Sequence, residues 1–129
     1  MIFFFDRSVG IGFPRALREI RRFPAGIEYH QQHFSIDEFD DYWLPIVGQN
    51  DWIVIGHDYS YHKRETERGA IEAYGIGVFY LWGSEAPQWE SVRVFAKAYD
   101  RIVEACENTP RPFIFWVRKD GRLVSQSLS

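Results

Sequence analysis

The chain has 129 residues, 46% hydrophobic and 18% aromatic, with a net charge of −3 and a pI near 5.8. This is the composition of one globular domain with a core of large rings, and it excludes a disordered chain. The charge excludes a globally basic nucleic-acid binder, and the single Cys106 excludes an internal disulfide framework and a cysteine-built zinc site.

A reduced, cytoplasmic setting is expected for so little cysteine. The apolar start spans five residues without a basic flank or cleavage motif, so a signal peptide is not expected. No run is long enough to cross a bilayer, and no membrane association is expected.

Ile2-Phe3-Phe4-Phe5 reads as a strand covered on both faces, with Asp6 at its tip. Phe13, Leu17 and Ile20 share one helical face, and Pro24 and Gly26 stop that helix. Ile27 to Phe34 reads as a more polar strand leading into a loop with His30 and His33. Ser35 to Asn50 reads as a second helix, with Ser35 and Glu38 as a capping box and Pro45 as a kink or restart.

Trp52-Ile53-Val54-Ile55 is another buried strand, ended by Gly56-His57-Asp58. A polar, cationic loop through Lys63 and Arg64 follows. Thr66 to Tyr74 reads as a helix with Ala70, Ile71 and Tyr74 inward and Gly75 as its cap. Ile76 to Trp82 is the next strand. The longest helical stripe runs Trp89, Val92, Phe95, Tyr99, Ile102, Val103 and Cys106. Phe113 to Val117 is the last main strand, and Lys119-Asp120-Gly121 can turn into a short hairpin partner at Arg122 to Val124. Alternation of strand and helix predicts an α/β fold. We expect a three-layer α/β/α sandwich with a mostly parallel sheet of about five strands, in one domain over 1–129.

Ligands bind beyond the carboxyl ends of such strands, where Asp6 and Asp58 both fall. Asp40 lies early in the second helix and shares a face with Trp43 and Val47, whereas Asp41 points about 100° away. Asp37 competes for the same role, and all these helix acids also suit the positive end of a helix dipole. Gathered carboxylates repel unless a cation lies between them, and hard cations such as Mg²⁺ or Mn²⁺ take oxygen ligands. Lys63 and Arg64 follow Asp58 closely and are placed to meet a substrate phosphate. The Arg15, Arg18, Arg21 and Arg22 run reads as a solvated face that could also touch phosphates. Cys106 lies on the core stripe and is expected to be inert.

Three stretches together resemble the PIN-like domains of the VapC toxin type: Phe4-Phe5-Asp6-Arg7-Ser8, Asp40-Asp41-Tyr42-Trp43-Leu44-Pro45-Ile46-Val47-Gly48, and Trp52-Ile53-Val54-Ile55-Gly56-His57-Asp58. The likeness covers roughly residues 2 to 117. It implies a small metal-dependent ribonuclease of the PIN-domain family, paired with an antitoxin protein. Asp6, Asp40 and Asp58 would be the catalytic acids that hold Mg²⁺ or Mn²⁺, and Arg64 and Glu67 match a basic and an acidic position. Arg7 is expected at the phosphate or in a pair with an acid. Two departures stand out: Gly56 replaces a Thr or Ser that the family usually carries two residues before its third acid, and no fourth acid beyond Glu85 or Glu90 is evident near the next strand end.

The leading expectation is an endoribonuclease acting on RNA phosphodiester bonds, with self-association as a homodimer left open. One alternative is a receiver-like phosphoacceptor domain carrying its acceptor at Asp58, against which Arg7 stands where receivers usually have a second acid. Another is a PIN-like module that binds without cutting.

Overall fold

The computed structural model describes residues 1–57 and 65–128. Among these, six strands form one sheet: β1 (Ile2–Phe5), β2 (Gly26–Tyr29), β3 (Ile53–His57), β4 (Gly77–Leu81), β5 (Phe113–Val117) and β6 (Leu123–Gln126). Their spatial order is β2-β1-β3-β4-β5-β6. The first five pair in parallel, and β6 runs antiparallel to β5. The expected α/β architecture is therefore present, and the sixth strand is the hairpin partner foreseen after Lys119-Asp120-Gly121. Gly121 makes that turn at φ 86, a left-handed conformation that favours glycine.

The helices are α1 (Gly12–Glu19), the single turn α2 (His30–His33), α3 (Asp40–Gln49), α4 (Glu65–Ala73) and α5 (Gln88–Asn108). Side chains alternate across a strand, and this splits the aromatic run of β1 between two cores. Phe3 and Phe5 join Phe13 and Leu17 of α1 and Val94, Phe95, Ala98 and Ile102 of α5. Phe4 joins Trp43, Leu44 and Val47 of α3 and Ala70 and Ile71 of α4. All three Phe side chains are fully buried. Ring contacts tie the layers together: Phe3 meets Phe95 edge-on at 5.8 Å, and Phe4 stacks on Trp52 at 5.5 Å.

Several local expectations change. The second strand stops at Tyr29, and the chain coils into α2 because His30 turns inward against the rings of Phe4 and Trp43. The capping box at Ser35 does not form. The Ser35 hydroxyl bonds Asp37 instead, and α3 begins only at Asp40, running through Pro45 to Gln49. On α5 the buried stripe is Ser91, Val94, Phe95, Ala98 and Ile102, while Trp89 is 68% exposed. Two small residues, Ser91 and Ala98, let that helix sit close on the sheet, and hydrophobicity alone does not mark the serine. Tyr74, expected inward, is exposed. No helix among the described residues is long and apolar enough to cross a membrane.

Candidate functional site

Strand register decides where Asp6 points. Phe5 lies beside Ile55, and the Asp6 amide donates to the Ile55 carbonyl at 2.9 Å. Asp6 thus follows the alternation onto the Phe4 face, toward α3 and α4. It also caps a 3₁₀ turn at Arg7–Val9, accepting a 2.7 Å bond from the Ser8 amide and a second bond from the Ser8 hydroxyl, both on Oδ1. The side chain is buried, and burial pushes its carboxyl up to about 6. The Ser8 bonds pull the other way, and the nearby Asp40 charge adds to the rise.

Asp40 opens α3 and is also buried. Its Oδ1 accepts from the Trp43 indole at 2.9 Å and from Arg7 Nη2 at 2.8 Å. The other arm of Arg7, Nη1, donates to the Glu38 carbonyl at 2.7 Å and to His30 Nε2 at 3.2 Å. A guanidinium can only donate, so His30 Nε2 accepts and its proton belongs on Nδ1. His30 is fully buried, and that burial pushes its imidazole down to about 4, which keeps it neutral. Among the described residues, His30 Nδ1 has no hydrogen-bond partner.

Asp6, Asp40 and Glu67 line one small cavity with Trp43, Val54 and Tyr80, about 10 Å³ in volume and so close to the size of a single water. Glu67 comes from α4 and is buried. An open cleft of about 440 Å³ reaches Arg7, Asp40 and Glu67 from solvent, past the acidic rim of Asp37, Glu38 and Asp41.

A second network supports Asp6 from the opposite layer. His57 Nδ1 donates to the Ser8 carbonyl at 2.9 Å, and its Nε2 accepts from the Ser91 hydroxyl of α5 at 2.8 Å. The His57 amide donates to Ser8 Oγ at 3.2 Å, and Gln88 Nε2 donates to the Val9 carbonyl at 2.8 Å. Burial lowers the His57 pKa, so the ring serves as a neutral connector. Gly56 fits between these groups for a steric reason. A Cβ there would lie 2.7 Å from Asp6 Oδ2 and 3.3 Å from the Tyr80 ring. A hydroxyl nevertheless reaches this carboxylate, that of Ser8, which bonds Asp6 Oδ1 directly.

Of the residues expected at the site, the structure brings together Asp6, Arg7 and Asp40. Asp37 and Asp41 are exposed on the rim, so between the competing acids Asp40 is the inward one. Asp58, Lys63 and Arg64 lie outside the described residues. Glu67 was visible only as an acidic position of the related sequences, whereas Glu85 is exposed and Glu90 pairs with Arg93. His30, His57 and Ser91 went unrecognised because their contacts join residues far apart in the chain, whereas the bonds from Ser8 to Asp6 span only two residues. Cys106 is half-buried, and burial raises its thiol to about 11, in keeping with an inert core position.

Among the described residues, no group of three or more His, Cys, Asp or Glu side chains is gathered closely enough to hold a metal ion. The donor chemistry nevertheless suits a hard cation. The acids lining the cavity offer only oxygen, the donor type that hard cations take.

A family model described as a PIN like domain matches residues 1–83, from β1 through the end of β4. No curated protein matches the chain, and no solved structure does.

Proposed function

The chain belongs to the PIN-like domain family, and from that premise we propose that it is a metal-dependent endoribonuclease. The observation that carries this reading is the convergence of three buried acids, Asp6, Asp40 and Glu67, on one small cavity at the carboxyl ends of parallel strands. Asp6, Asp40 and Asp58 would hold Mg²⁺ or Mn²⁺. When bound, such an ion supplies an activated water and neutralises charge on a phosphoryl group. The protein's own part is positional. Ser8 orients the Asp6 carboxylate, Trp43 orients Asp40, and Arg7 with Lys63 and Arg64 supplies positive charge for the phosphodiester.

The finer reading is a toxin of the VapC type paired with an antitoxin, and it rests on the sequence likeness. The acidic rim of Asp37, Glu38 and Asp41 adds a reason to expect a basic protein segment as partner. That same rim repels phosphate, and it is the observation that favours the second reading, a PIN-like module that binds without cutting. The receiver-like alternative shares the strand order β2-β1-β3-β4-β5. However, the position of a receiver's second acid is Arg7, already engaged by Asp40.

The test is cleavage of a mixed RNA pool with Mg²⁺ or Mn²⁺, run beside Asp6→Asn and Asp40→Asn. Loss of about a hundredfold or more in both variants supports the nuclease. Equal cutting by wild type and variants assigns the activity to another source.

A further inference from the structure

Arg7 is held by three groups from two segments, the α2 turn and the approach to and start of α3. Its guanidinium donates to the Asp40 carboxylate, the Glu38 carbonyl and the His30 ring. The pair is partly buried, with side-chain exposures of 22% for Arg7 and 8% for Asp40. His30 lies behind it, neutral and packed among Phe4, Phe34 and Trp43, and can only accept through Nε2. Arg7 also directly follows Asp6 in sequence, and its charge acts on that carboxyl too. One cation therefore serves Asp6 and Asp40, two of the three acids that line the cavity, and also borders the open cleft.

We infer that Arg7 is a built-in counter-ion for the acid pair, and that it keeps metal affinity low until an RNA phosphate draws its guanidinium away from Asp40. This rests on the nuclease reading above and adds to it a coupling between substrate and metal. The physical argument is one of competing charges. A divalent ion beside Asp40 is repelled by a guanidinium at 2.8 Å from the same carboxylate. A phosphate offers Arg7 a bidentate anion in exchange, since the guanidinium fork matches its oxygens. Each ligand then improves the other's binding, and by linkage the two improvements are equal. Arg7 is partly exposed and lines the cleft, which gives the fork a route outward.

The experiment is a calorimetric Mn²⁺ titration, with and without a short oligoribonucleotide recovered intact at the end. In the wild-type protein Mn²⁺ should bind weakly alone and about tenfold more tightly with the RNA present. Arg7→Gln should bind Mn²⁺ about tenfold more tightly than wild type when RNA is absent, with little further gain on adding it. Asp6→Asn should lose Mn²⁺ binding. If wild type binds Mn²⁺ in an Asp6-dependent way and Arg7→Gln binds it no more tightly, the counter-ion role is overturned and the nuclease reading stands. If neither protein binds Mn²⁺ even with RNA, the metal reading falls and the inference falls with it. A second measurement on unmutated protein guards against a variant that fails to fold. The His30 ring nitrogen signals should move when Mg²⁺ and RNA are added together, because Nε2 loses its donor, and unmoved signals overturn the release of Arg7.

Discussion

Asp6 is costly to ionise where it sits. Its carboxyl titrates near 6 in the fold against an ordinary value of 3.8. Between those values the folded protein holds a proton that the unfolded chain has released, so this group makes stability fall as pH rises from about 4 to about 6. Above that range the full cost is about 3 kcal/mol. Asp6→Asn carries no charge, so in metal-free buffer at pH 7 it should be more stable than wild type to urea, by up to about 3 kcal/mol. The gain should fade below about pH 4. Gly56 provides a second prediction. Gly56→Ser installs the hydroxyl residue that the sequence resemblance leads one to expect, yet its Cβ would meet Asp6 Oδ2 at 2.7 Å. The carboxylate is held by Ser8 and cannot yield freely, so the variant should lose about 1–3 kcal/mol. An unchanged melting temperature would contradict the crowding. The acids at the strand tip and helix start were legible in sequence because apolar runs announce them. The link from Ser8 to the third strand was not, since the His57 amide meets Ser8 Oγ only when β1 and β3 lie side by side.

At the level of elements, the long helix α5 carries more than core contacts. Ser91 is fully buried and donates to His57, and Gln88 holds the turn after Asp6 through the Val9 carbonyl. The periodicity of α5 was readable from its apolar residues, but the buried stripe is rotated from the expected one and leaves Trp89 outside. A hydrophobic count cannot place a serine inward, because the reason is its partner His57 on β3. Ser91→Ala should therefore cost about 1–3 kcal/mol by stranding a buried acceptor on His57. Its measure is the denaturant midpoint. Substitution of the exposed Trp89 by Ala should leave that midpoint nearly unchanged.

For the molecule as a whole, the layered α/β arrangement followed from the alternating pattern, whereas the strand order did not, because crossovers leave no mark in local sequence. The family match ends at residue 83, but the core does not. Val94, Phe95, Ala98, Ile102, Phe113 and Val117 all pack with Phe3 and Phe5. Losing that burial removes about 10 kcal/mol, comparable to the whole stability of a typical domain at about 5–15 kcal/mol. A chain truncated after Gly83 should not fold on its own, as circular dichroism would show by loss of cooperative melting. The amide bond from Asp6 to Ile55 has a different consequence for motion. It lies between two strands that are flanked on both sides within the sheet, so its proton should exchange with solvent only when the entire domain opens. The backbone beneath the acid is then a fixed reference, and any adjustment to a ligand falls to the groups that lean over it from the cleft.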